Sequence, residues 1–253
     1  MKQHPFRVLY RFFAFSFTIG SAVVDFFVNL AWRGRASDYQ RRAAWHQYWA
    51  QRTMASLRVR ASYRGQPPAR GLLVSNHLSY VDILVLAAQQ PAVFVAKSEV
   101  RQWPIIGWVT SLAGTIYVSR EKKSDVSRVG KALEDVVHNS LVAILFPEGT
   151  STDGHEVKPF RSSLLAPAAD HGWTVTPAWI GYTVADGSVE DKVAYWRDMT
   201  FVPHFLNLLS KKEILAEVVY APTMPAIADR KELARQLQAQ VNQIAIQEGR
   251  VKG

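Results

Sequence analysis

The stretch Gly71-Leu72-Leu73-Val74-Ser75-Asn76-His77-Leu78-Ser79-Tyr80-Val81-Asp82 decides the fold class. Its first five residues form a short apolar run, the composition of a strand buried on both faces. Polar residues interrupt it, and an apolar pattern of helical spacing then continues toward Gln89. Similar runs at Ala92–Ala96, Thr115–Ser119, Leu141–Phe146, Thr174–Tyr182 and Ile214–Tyr220 alternate with helical stretches near 80–89, 103–112, 124–139, 161–171 and 230–247. Alternation of this kind predicts an α/β sheet covered by helices on both faces. His77 and Asp82 then stand just past the end of a strand, the edge at which such sheets form their sites.

Residues five apart on one regular helix point about 140° away from each other, so His77 and Asp82 meet only if His77 lies in the loop and Asp82 opens the helix. In that arrangement the carboxylate holds one imidazole nitrogen, fixes the tautomer and leaves the other nitrogen free to take a proton from a hydroxyl. The pair is two thirds of a serine triad. Ser75, Ser79 and Ser151 lie near, but no Gly-x-Ser-x-Gly elbow surrounds any of them. Ser79 is expected to cap the helix that carries Asp82. The substrate's own hydroxyl then takes serine's place and attacks a thioester carbonyl directly.

Two more strand ends carry chemistry. Leu145-Phe146-Pro147-Glu148-Gly149-Thr150-Ser151 places a carboxylate after a strand, and Gly114-Thr115-Ile116-Tyr117-Val118-Ser119-Arg120 places an arginine there. Arginine and backbone N–H groups converging beside a His–Asp pair suit an anionic headgroup.

Length and composition bound the rest. A chain of 253 residues suits one core with an appendage. The absence of cysteine excludes disulfides, thiolate metal sites and a cysteine nucleophile. His4, His46, His138, His155 and His171 lack metal-ligand spacing, so no metal is expected. His204 lies in an aromatic segment, Tyr195 to His204, that reads mainly as core, with the mouth of a groove or a membrane-facing loop as the alternatives. The net charge of +9 belongs to the N-terminus: residues 1–70 hold 12 Lys/Arg against 2 acids, and the remainder 18 against 19.

That appendage contains an aromatic-rich apolar stretch, Phe12 to Trp32, flanked by Lys2, Arg7 and Arg11 before it and Arg33, Arg35, Arg41 and Arg42 after it. No small-residue cleavage site follows, so the segment is expected to be retained. It reads as a monotopic or hairpin attachment, or a single span, with Trp45, Tyr48 and Trp49 of a basic helix at the headgroup level. Anionic lipid explains this mixture better than nucleic acid. The turn-like Arg64-Gly65-Gln66-Pro67-Pro68 marks the boundary, giving membrane-associated helices over 1–64 and a catalytic domain over 65–253.

The four blocks at His77–Asp82, Gly114–Arg120, Phe146–Thr150 and Val175-Thr176-Pro177-Ala178, in this order, resemble those of the bacterial lysophospholipid acyltransferases. This family includes 1-acylglycerol-3-phosphate and lyso-ornithine-lipid acyltransferases. The resemblance implies a glycerolphosphate acyltransferase-like α/β fold with a mixed, mostly parallel sheet. It also implies His77 as general base oriented by Asp82, with Arg120, Glu148, Gly149, Thr150, Arg161 and Lys97 toward the substrate. Acyl-CoA or acyl carrier protein would be the donor and the acceptor a membrane lysolipid, with no cofactor, at the cytoplasmic face of the bacterial inner membrane. The leading acceptor is 1-acylglycerol-3-phosphate. Many phosphatidate-forming members, however, carry arginine where this chain has Ser151, and the Thr150-Ser151-Thr152-Asp153-Gly154 and Pro159-Phe160-Arg161-Ser162 pattern looks more like the lyso-ornithine-lipid branch. An aminolipid acceptor is the alternative. A hydrolase or a noncatalytic lipid-binding protein are rivals from other classes.

Overall fold

The computed structural model describes residues 5–35, 37–103, 105–119 and 123–251. Its strands are, in chain order, β1 (Val59–Arg64), β2 (Gly71–Ser75), β3 (Ala92–Lys97), β4 (Ile116–Val118), β5 (Val142–Leu145), β6 (Thr174–Val184), β7 (Ile214–Tyr220) and β8 (Met224–Pro225). They form one sheet in the order β1-β7-β6-β2-β5-β3-β4, with β8 beside the start of β6. Pairing is parallel except between β6 and β7 and between β6 and β8. The sheet is therefore mixed and mostly parallel.

The helices are α1 (Pro5–Asp25), α2 (Tyr39–Leu57), α3 (Val81–Gln89), α4 (Ile106–Leu112), α5 (Lys123–His138), α6 (Ala166–His171), α7 (Val189–Lys192), α8 (Phe201–Ser210) and α9 (Arg230–Gln247). Successive strand residues point to opposite faces, so β2 sends Leu73 into one core and Leu72 and Val74 into the other. Met54 and Leu57 of α2, Val85 and Leu86 of α3 and Leu208 and Leu209 of α8 cover the first face. Leu133 and Val136 of α5, Ala168 of α6 and Leu233, Leu237 and Val241 of α9 cover the second. Each fully buried leucine contributes about 1.5–3 kcal/mol of transfer free energy.

Three differences from the sequence reading have physical causes. Strand β1 lies on the N-terminal side of the boundary expected at residue 64, yet it pairs with β7 along its whole length. Val59, Ala61 and Tyr63 alternate with Arg60, Ser62 and Arg64. The period of two is hidden in a basic stretch, whose arginines pair with Glu213 and Glu217 at 2.9 Å. The helix expected from 103 begins instead at Ile106, because Trp103 precedes proline and stays extended (φ −69°, ψ 130°). The helix expected from 161 starts as a 3₁₀ turn, Ser162–Leu165, before α6.

The N-terminal helices grip the domain. Arg11 is 5% exposed and donates to the carbonyls of Leu209 (3.1 Å), Lys211 and Lys212 (2.8 Å), while Arg7 donates to Ser210 (3.0 Å). These are the unpaired carbonyls at the C-terminal end of α8, where a cation is favoured. Phe15 stacks obliquely on Phe205 at 4.8 Å. The segment Pro5–Ala31 is apolar and long enough to cross a membrane, and only 17% of its apolar window is buried. Phe6, Phe13, Phe17 and Trp32 stand exposed on it. Trp45, expected at the headgroup level, is instead buried against Phe26 at 5.3 Å. Arg42 likewise turns inward to the carbonyls of Ser111 and Leu112 at the end of α4.

Candidate active site

Strands β2, β5, β3 and β4 are adjacent and parallel, so their C-terminal ends open on one edge of the sheet. There the loops enclose a cleft of about 320 Å³. His77, Lys97, Gly149 and Thr150 line it, beside an apolar wall that includes Phe94, Val100, Ile106, Val118 and Leu164.

The His77 loop is fixed at its root by Asn76, which sequence reasoning missed. Its amide donates to the Ile180 carbonyl (2.9 Å) and accepts from the Ile180 N–H (2.8 Å), prolonging the β2–β6 ladder by a side chain. His77 Nδ1 lies 2.7 Å from Asp82 Oδ2. The same oxygen accepts from the N–H groups of Leu78 (2.7 Å) and Ser79 (3.0 Å), and Oδ1 accepts from the Tyr182 hydroxyl. Asp82 is fully buried, and these donors replace its water. They also correct the assignment of Ser79: its hydroxyl caps nothing and has no partner, because Asp82 itself takes the free N–H groups before α3. The imidazole stacks on Phe146 with centroids 4.1 Å apart, and its side chain keeps 20% exposure toward the cleft. With Nδ1 held by a carboxylate, Nε2 is the free acceptor.

Glu148 does not face the cleft. It is 3% exposed, and its two oxygens accept from the N–H groups of His77 (2.8 Å) and Lys158 (3.2 Å). It therefore holds the backbone of the base from behind. Burial pushes its carboxyl up to about 8, although both N–H bonds pull the other way. Gly149 follows with φ +70°, a left-handed turn that brings Thr150 to the rim. The Ser151 hydroxyl donates to the Tyr195 carbonyl, and Tyr195 N–H donates to the Leu78 carbonyl (2.8 Å). One segment thus ties the two motif loops together.

Lys97 ends β3 and lines the cleft, as expected. Arg161 does not: its side chain is exposed away from the lining, and its N–H braces the loop through the Pro147 carbonyl (2.9 Å). Arg120 lies outside the described residues. His204 is buried on α8 and meets the Tyr80 hydroxyl at 3.0 Å, within a cluster of Tyr80, Tyr195 and Phe201 that walls the cleft. Tyr182 was not singled out from sequence, whereas Tyr195, Trp196 and Arg197 belong to the aromatic segment that was read mainly as core and line the cleft instead. Tyr182 carries only the signal of a polar tip in an apolar strand. Among the described residues no three His, Asp or Glu side chains gather as metal ligands.

Comparison with known proteins places this geometry. The Acyltransferase family matches residues 57–181, from the last residue of α2 into β6. The lyso-ornithine lipid O-acyltransferase of Rhodobacter capsulatus is 36% identical over 196 residues, covering 74% of this chain and 71% of that protein. That of Pseudomonas aeruginosa is 33% identical, covering 77% and 76%. The 1-acyl-sn-glycerol-3-phosphate acyltransferase of Neisseria gonorrhoeae is 26% identical, covering 64% and 61%. In fold, the chain matches the crystal structure of the 1-acyl-sn-glycerophosphate acyltransferase PlsC from Thermotoga maritima with a TM-score of 0.68, over 96% and 95% of the two chains at 18% identity. With the two lyso-ornithine lipid O-acyltransferases matched at 33–36% identity over more than 70% of their length, the chain belongs to the bacterial lysophospholipid acyltransferase family.

Proposed function

We propose that the chain transfers a fatty acyl group from a thioester donor, acyl-CoA or acyl carrier protein, to the hydroxyl of lyso-ornithine lipid. His77 Nε2 takes the hydroxyl proton, and the oxygen attacks the thioester carbonyl. As the tetrahedral intermediate collapses, the C–S bond breaks and the imidazolium returns its proton to the thiolate. Asp82 holds the tautomer and balances the imidazolium charge, and the substrate's own hydroxyl stands where a protein nucleophile would. Gly149, Thr150 and Lys97 line the acceptor side, and Glu148 acts through the backbone of His77.

The observation that carries the acceptor reading is Ser151. Many phosphatidate-forming members of the family carry an arginine there, whereas this hydroxyl is engaged by the Tyr195 carbonyl and brings no charge. Loss of a charge-assisted contact of about 1.5–3 kcal/mol disfavours a dianionic phosphomonoester. The relatives matched at 33–36% identity are named for lyso-ornithine lipid, and the Neisseria protein at 26% for 1-acylglycerol-3-phosphate, which supports the same choice. The exposed aromatic face of α1, with Arg11 anchoring the helix to α8, favours an attachment in the plane of the membrane surface at the bacterial inner membrane. Competition between lyso-ornithine lipid and lysophosphatidic acid at equal concentration tests the acceptor. A hundredfold preference for lysophosphatidic acid, about 2.7 kcal/mol, would eliminate it.

A further inference from the structure

An anionic headgroup in the cleft needs a cation, and the loop Thr150-Ser151-Thr152 carries none. Arg161, the nearest later arginine, lies outside the cleft lining. Arg197 lies within it, on the same cleft as His77, Gly149 and Thr150; the other described cation of the lining is Lys97, at the end of β3. Its segment is pinned to both motif loops, by Tyr195 N–H to the Leu78 carbonyl (2.8 Å) and by the Ser151 hydroxyl to the Tyr195 carbonyl. Two residues on, Arg197 adopts φ +54°, a left-handed conformation that a long side chain rarely takes and that a local function commonly explains. The turn lays its guanidinium over the Trp196 ring, 3.8 Å from the centroid. Stacking fixes the plane of the fork and leaves its N–H edge open to a bidentate oxyanion. Among the described residues no carboxylate or hydrogen-bond acceptor engages that guanidinium.

We propose that Arg197 determines acceptor specificity by binding the headgroup oxyanion, and that Ser151 serves as the tether that places it. The position after Thr150, where many phosphatidate-forming members carry arginine, here holds the neighbouring segment in register. This deepens the acceptor assignment above and rests on it only for the identity of the oxyanion, a carboxylate in an aminolipid headgroup.

The test uses the full-length protein in vesicles with three acceptors: lyso-ornithine lipid, its carboxyl methyl ester, and lysophosphatidic acid. Arg197→Gln should raise KM for lyso-ornithine lipid about tenfold to hundredfold, with kcat within about twofold and the donor KM unchanged. On the methyl ester the variant and wild type should differ little, since the anion is already gone. Arg197→Lys should recover part of the loss, and Ser151→Ala should raise the same KM by a smaller factor. Equal losses on the free acid and its ester, an unchanged KM, or a rise in donor KM instead would each overturn the proposal. If wild type uses lysophosphatidic acid and not lyso-ornithine lipid, the acceptor assignment fails by itself. Arg197 is then judged on lysophosphatidic acid: a raised KM in Arg197→Gln supports it and an unchanged one overturns it.

Discussion

Asp82→Asn separates catalysis from folding at one atom. Asp82 takes three N–H donors on Oδ2, from His77, Leu78 and Ser79, and the Tyr182 hydroxyl on Oδ1. An asparagine amide can turn its oxygen to the three N–H groups and its NH2 to the Tyr182 oxygen, which accepts as readily as it donates. The three N–H groups stay satisfied and only the buried Tyr182 O–H loses its acceptor, so the expected stability loss is about 1–2 kcal/mol, roughly 2–4 °C per kcal/mol in a chain of this size. The charge is gone, however, so the imidazolium formed during proton transfer loses its counter-ion and kcat should fall about 10²- to 10⁴-fold, or roughly 2.7–5.5 kcal/mol. Asp82→Ala instead strands the donors, and should cost about 3–5 kcal/mol of stability in addition to the lost activity. Initial rates at saturating lysolipid and thioester donor, read beside thermal unfolding in the same detergent, distinguish the two. The reasoning is refuted if Asp82→Asn keeps more than about a tenth of the wild-type rate, or if it melts as early as Asp82→Ala.

Removing the base itself, His77→Gln, should lower kcat by a similar two to four orders of magnitude while membrane binding in a vesicle flotation assay stays unchanged. Glu148→Gln can accept from only one of the N–H groups of His77 and Lys158 and turns its NH2 on the other; a loss of about 1–3 kcal/mol in thermal unfolding is expected, and no loss would remove its bracing role. Burial holds the His46 imidazole down at about 4, below its ordinary value near 6.5, so the unfolded chain binds that proton first. Stability is whole above about pH 6.5 and should fall by up to about 3 kcal/mol as pH drops toward 4; His46→Leu should flatten that part of the melting profile, and an unchanged slope would contradict it. High salt should leave the full-length protein on anionic vesicles, whereas Phe13→Ser with Phe17→Ser should weaken partitioning by about tenfold or more.

The parallel strands other than β1 were legible as short apolar runs, and the His77–Asp82 pair because a five-residue spacing makes sense only across a loop-to-helix junction. What sequence could not give was direction. Glu148 and Arg161 stand in the right motifs, but whether a side chain turns to the cleft or a backbone N–H turns to a carbonyl is set by neighbouring loops, and both serve the scaffold. Arg42 and Trp45 read as membrane-facing for the same reason. A basic or aromatic residue on a helix announces its chemistry and not its azimuth, and these two turn toward Leu112 and Phe26. Tyr182 and Asn76 contribute through contacts a hundred or more residues away in sequence, which no local pattern records.

The placement of α2 has a consequence for how such a protein can be engineered or diversified. Ala50, Met54 and Leu57 are built into the same apolar cluster as the catalytic sheet, and β1 leaves α2 directly to pair with β7. The pair of N-terminal helices is therefore not a module that recombination can clip off or graft elsewhere. A water-soluble version is reachable by repainting the outer side of α1, at Phe6, Phe13 and Phe17, while truncation before β1 would remove part of the core along with the anchor.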